Sequence, residues 1–170
     1  MAELPRLGHD AIRALLPHGW PVVLLDQVLD HVPGASLSAV KAISGCEPCF
    51  AQLPAGTPAS GYAYPTSLLM ESFGQAAAVL WLLGEEAREP DEVLMFAVAR
   101  DCEFEGSAFP GDVLRHEVRL DHVLPGTAFA TGETWAGRRR IARMGSFAAV
   151  TRPASRLPAP GGLPIDSSTR

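Results

Sequence analysis

Between Tyr64 and Leu83 the chain is apolar on nearly every side, yet three polar residues recur there at four-residue spacing: Ser67, Glu71 and Gln75. On a helix that spacing stacks them into one narrow polar line. The run is long enough for about five helical turns, and a helix that is greasy all round has to be wrapped by the rest of the fold. An ionised carboxylate in such a place is costly unless it is hydrogen-bonded or paired. Glu71 is therefore the first candidate for chemistry, a carboxyl group able to give or take a proton in a sheltered site. The competing reading is a structural carboxylate that faces a solvated cleft or bonds a nearby backbone amide.

Other reactive residue types are less well placed. Cys46-Glu47-Pro48-Cys49 has redox spacing, but a reactive pair should open a helix whose N-terminus stabilises the thiolate. Here Phe50-Ala51-Gln52-Leu53-Pro54 follows, soon broken by proline. A zinc site would need two further ligands, and Cys102 is distant. With an odd number of cysteines, and with an N-terminus whose Glu3 and Asp10 do not read as a secretory signal, no disulfide framework is expected either. Nothing in the sequence places His9, His18, His31, His116 or His122 beside Glu71, so each reads as structural or solvated. No metal and no cofactor are expected.

The elements that must hold Glu71 follow from periodicity and turn signals. Residues 9–16 read as a short amphipathic helix stopped by Pro17. An apolar strand is expected from Val22 to Val32, then the turn Pro33-Gly34 and a returning arm over residues 37–44. Residues 45–65 form a proline- and glycine-rich connection, of a length that is usually functional. After the central helix and a charged link over residues 85–92, strands are expected at Val93–Ala99, Asp101–Glu105, Val113–Val123, Ala128–Trp135 and Ile141–Thr151. Two strands, one long helix and a run of hairpins imply an α+β domain in which an antiparallel sheet curls around a single buried helix. The sheet's open edge favours pairing with a second protomer. Residues 1–153 are read as one domain, and 154–170 as a flexible Pro/Gly-rich tail.

Composition narrows the partners. A chain of 170 residues with 47% hydrophobic content suits one well-buried core. Its net charge of −5 divides into −10 for residues 1–130 and +5 for 131–170, and the acidic body argues against nucleic acid. Glu71, Gln75 and the glutamates after Gly84 argue for a core helix rather than a membrane span. The cytoplasm is the expected location, with no membrane partner.

The order of motifs resembles the FabZ/FabA-type β-hydroxyacyl-acyl-carrier-protein dehydratases over roughly residues 10–152. The marks are Leu16-Pro17-His18-Gly19-Trp20-Pro21, Leu24-Leu25-Asp26-Gln27-Val28, Glu47-Pro48 with Phe50, Leu69-Met70-Glu71-Ser72-Phe73-Gly74-Gln75, and Phe109-Pro110-Gly111-Asp112. The resemblance implies the hot-dog fold, an antiparallel β-sheet wrapped around one long central helix. It also implies a division of labour in which a loop histidine removes the α-proton and a helix carboxyl from the other subunit protonates the leaving hydroxyl. A backbone amide at the helix start polarises the thioester carbonyl.

Glu71 matches the family acid, and Gln75 the amide one turn on. The family histidine, from a Phe-x-Gly-His-Phe-Pro-Gly segment, has no counterpart. This chain reads Phe50-Ala51-Gln52-Leu53-Pro54-Ala55-Gly56, which puts Gln52 or a neighbour at the base position, and glutamine cannot accept a proton near neutral pH. The Pro-Gly before the family's helix is here Pro65-Thr66, and Thr cannot take glycine's positive-φ conformations without strain. The expectation is a dehydratase subunit for acyl-carrier-bound β-hydroxyacyl thioesters in fatty acid or polyketide biosynthesis, inactive alone. A homologous hot-dog partner would supply the histidine and this chain Glu71. Substrate contacts are expected from Gln52, Tyr62, Tyr64, Pro65, Thr66 and Gln75. The alternatives are an acyl thioesterase using Glu71, and a non-catalytic acyl-binding partner subunit; a homodimer is the other assembly.

Overall fold

A computed structural model describes residues 6–85 and 91–156. The tail beyond Arg156 and residues 86–90 of the charged link lie outside the described residues. Helix α1 (His9–Leu15) is followed by β1 (Gln27–Val32), β2 (Ser36–Ala42), the long helix α2 (Thr66–Gly84), and β3 (Glu92–Phe104), β4 (Val113–Leu124), β5 (Thr127–Ala136) and β6 (Arg139–Pro153). Short 3-10 turns at Pro48–Phe50 and Ala59–Tyr62 break up the connection into α2. The strands form one antiparallel sheet in the order β1-β2-β4-β5-β6-β3.

The sheet curls around α2 because that helix has almost no polar side to give to water. Leu69, Phe73, Val79, Leu80 and Trp81 are all buried, together with four small residues, Gly74 and Ala76 to Ala78. The small residues let neighbours approach the helix axis closely. A Cβ on Gly74 would lie 2.5 Å from the Phe96 ring and 2.9 Å from that of Phe147. Those two rings meet edge to face at 5.1 Å, and Phe147 meets Phe73 in the same way at 5.6 Å. By length and composition α2 could cross a bilayer; here it is the core helix of the curled sheet.

The expected architecture holds, with two revisions. Residues 93–99 and 101–105 are not separate strands: β3 runs unbroken through them, absorbing a register shift between Phe96 and Val98 and a positive φ of 52° at Asp101. The apolar run at Val22 is not strand either. Regular pairing of β1 starts only at Gln27, and residues 22–24 are held instead by a side chain of α2, as the site shows.

Candidate active site

Helix α2 carries Glu71 one turn past its start, at the point where the helix emerges from under the sheet. The carboxylate is about one quarter exposed and opens into a groove of about 340 Å³ lined by Ser67, Met70, Phe96, Ala97, Val98, Ala99 and Phe147. The groove is thus walled by the helix on one side and by β3, at the end of the sheet order, on the other. Its lining is mostly apolar with one acid in it, a surface suited to an acyl chain bearing a single reactive group.

Gln75 fixes that acid. Its Nε2 donates to Glu71 Oε1 at 2.8 Å and to the carbonyl of Val22 at 2.6 Å, while its Oε1 accepts from the Leu24 amide at 2.8 Å. One fully buried amide therefore ties the chain before β1 to the helix and orients the carboxylate at the same time. Both N–H groups of Gln75 are used on protein, so its bearing on any substrate runs through Glu71.

The same tie explains a residue that sequence reasoning missed. Holding residues 22–24 against α2 places the preceding turn over Glu71, and His18 Nε2 lies 3.4 Å from Glu71 Oε1. Nothing in the sequence puts His18 near the acid; the fold does so. The available signal was the family-like run Leu16 to Pro21, whose contact with α2 spans more than fifty residues.

The remaining expected site residues are dispersed. Gln52 is exposed, and no side-chain hydrogen bond of its own is found among the described residues. Tyr62 is half-buried and packs on Phe50, ring centroids 5.8 Å apart. Tyr64 is buried with no partner for its hydroxyl, and burial pushes its phenol well above the usual range; its amide donates to the Ala108 carbonyl at 2.8 Å. Pro65 caps α2, its carbonyl accepting from Leu68 and Leu69 at 3.0 Å each. Thr66 is the exposed first residue of the helix and does not adopt positive φ, so the strain anticipated for it does not arise.

Three further polar groups lie deeper. Ser72 donates to the Leu69 carbonyl at 3.0 Å and accepts from His116 Nε2 at 3.0 Å, and the Thr134 hydroxyl donates to His116 Nδ1 at 2.9 Å. All three side chains are fully buried, and burial pushes the His116 imidazole down to about 3. The network is complete with a neutral ring. It serves the packing of α2 on β4 and β5.

Neither cysteine chemistry nor metal binding gathers here. Cys46 is exposed, while burial, with Glu47 nearby, raises the Cys49 thiol, the opposite of activation. Among the described residues no cluster of three or more His, Cys, Asp or Glu could hold an ion. The arginine run at 138–140 is partly spoken for, Arg139 by Asp112 and Arg140 by Glu105 and Glu133.

A six-stranded antiparallel sheet curled around one apolar helix, with a lone carboxylate at the helix's open end, defines a hot-dog domain with a candidate acid. Comparison with known proteins narrows this further. The chain is 34% identical over 118 residues to the 3-hydroxyacyl-[acyl-carrier-protein] dehydratase FabZ of Pseudoalteromonas translucida, covering 69% of this chain and 76% of that one. It is 38% identical over 116 residues to the FabZ of Psychromonas ingrahamii, covering 68% and 75%. No family model matches the chain. Among solved structures, the dehydratase heterocomplex ApeI:P from Xenorhabdus doucetiae superposes with a TM-score of 0.70 over 85% of this chain and 92% of that one, at 18% identity. The chain belongs to the FabZ family of 3-hydroxyacyl-[acyl-carrier-protein] dehydratases.

Proposed function

We propose that this chain is the acid-bearing subunit of a heterodimeric β-hydroxyacyl-acyl-carrier-protein dehydratase. The observation that carries the proposal is Glu71, a clamped carboxyl group in an apolar groove beside an unpaired sheet edge, in a chain whose 45–65 loop contains no histidine. A partner of the same fold, laid along β3, would bring its own loop to this groove and supply the base.

The chemistry divides between them. The partner's histidine removes the α-proton of the β-hydroxyacyl thioester. Glu71, protonated, gives its proton to the β-hydroxyl, which leaves as water, and the electron pair from the broken C–H bond becomes the new double bond. One group must be neutral and the other protonated at the same pH, which separate environments can arrange. The backbone N–H groups of Thr66 and Ser67 at the start of α2 would stabilise negative charge growing on the thioester carbonyl. Gln52 and Tyr62 would flank the approach along the loop, with Tyr64 buried beneath it. The reaction as written needs no metal or cofactor. Fatty acid or polyketide assembly in the cytoplasm is the setting this chemistry fits. The solved ApeI:P dehydratase heterocomplex supports a pairing of this kind by analogy of fold.

Co-expression with hot-dog proteins encoded nearby tests the reading. A co-purifying pair that turns over a β-hydroxyacyl-carrier thioester, while this chain alone does not, is the expected result. A stable homodimer active by itself would overturn it. Release of free thiol from acyl thioesters by this chain would mark it as a hydrolase instead.

A further inference from the structure

His18 meets Glu71 in a way the proposed division of labour leaves unused. Its Nε2 is 3.4 Å from Glu71 Oε1, while its Nδ1 is buried with no hydrogen-bond partner. A ring proton on Nδ1 would be a buried donor with nothing to accept it, whereas one on Nε2 faces a carboxylate oxygen. The separation is long for a formed hydrogen bond and short enough to close by a small rotation of the ring, as site contacts do when a substrate arrives. The turn that carries His18 is fixed from behind, because Gln75 holds Val22 and Leu24 at 2.6 and 2.8 Å.

We infer that His18 is a positioning residue for Glu71: as the Nε2–H tautomer it donates to Oε1, the oxygen that Gln75 also reaches at 2.8 Å, and so leaves Oε2 to carry and deliver the acid proton. Two donors converge on one oxygen. A carboxylic acid so held carries its hydrogen on the other oxygen, because Oε1 is already accepting. The carboxyl plane is set by Gln75 from the helix and by His18 from the turn. This rests on Glu71 acting as the acid of the composite site.

Two measurements test it. In the full chain, imidazole nitrogen shifts should report His18 as the Nε2–H tautomer and should move on Glu71→Gln. An Nδ1–H tautomer, or indifference to Glu71→Gln, overturns the inference without touching the proposed function. In the assembled dehydratase, His18→Ala should lower kcat by roughly 10–100-fold, the value of a lost hydrogen bond to the carboxylate that forms as Glu71 gives up its proton, with KM little changed. His18→Gln, whose amide can donate from a similar distance, should restore much of the rate. A His18→Gln variant as impaired as His18→Ala would show that the ring is needed for something other than donation and would overturn the positioning role. If instead Glu71→Gln leaves the rate intact, the proposed function fails rather than the geometry argued here.

Discussion

At the scale of single residues, the account centres on Glu71, hydrogen-bonded by Gln75 on its own helix and 3.4 Å from His18 in a distant part of the sequence. The Ser67, Glu71, Gln75 line was legible from helical spacing alone, and the Gln75 to Glu71 hydrogen bond at 2.8 Å realises it. His18 was not legible, because its nearness to Glu71 depends on how an irregular segment is tethered across the fold, and periodicity says nothing about irregular segments. His116 escaped for the opposite reason. On β4 it is an inward-facing position like its apolar neighbours Leu114 and Val118, and nothing in the strand pattern announces that Ser72 and Thr134 await it. Its titration makes a stability prediction. The imidazole is pushed from 6.5 down to about 3 in the folded protein, so below pH 6.5 the unfolded chain binds a proton that the folded one refuses. Stability should therefore fall as pH drops from about 6.5 toward 3, by up to about 1.4 kcal/mol per pH unit from this residue. Urea titrations across that range should show the loss, and His116→Gln should flatten it; equal slopes in both proteins would contradict the assignment.

At the scale of elements, α2 was the most readable part of the chain, expected over 64–83 and observed as Thr66–Gly84. An apolar surface on every side leaves a helix no alternative to being wrapped. The strands after it were also readable, except that the sequence divides β3 into Val93–Ala99 and Asp101–Glu105 with a gap at Arg100. The charged pair Arg100-Asp101 interrupts the apolar run in sequence, while pairing to β6 carries β3 straight through it, with a φ of 52° at Asp101. The segment before β1 misled in the other direction, since Val22 to Leu25 has strand-like composition and is held instead by Gln75. That clamp is testable by itself. Gln75→Ala should speed hydrogen exchange at the Leu24 amide, now bonded at 2.8 Å, while the amides of β4 and β5 remain protected. Unchanged exchange at Leu24 would mean that the segment is anchored by its packing rather than by the amide.

At the scale of the whole molecule, the fold ends in an invitation. β3 closes one end of the sheet order, and Val98 and Phe104 on it are large apolar residues left partly exposed. A thirteen-residue edge strand with no outer pairing among the described residues, and with exposed apolar side chains along it, is a surface that natural proteins cover or blunt. If a second hot-dog chain pairs there, Val98→Lys should shift the native mass from dimer to monomer while leaving the far-ultraviolet spectrum unchanged; a dimer that persists would place the interface elsewhere. The groove holding Glu71 borders this edge, which links assembly to chemistry. On the proposed reading, Glu71 stands where the FabZ family has its helix acid, and the histidine-free loop is the reason a partner would be needed. The most direct measurement is the dehydration rate of the co-purified pair with Glu71→Gln in this chain alone. The account predicts a fall of about 10²–10⁴, the usual worth of a general acid, with the pair still assembled. A rate that survives the substitution would contradict it.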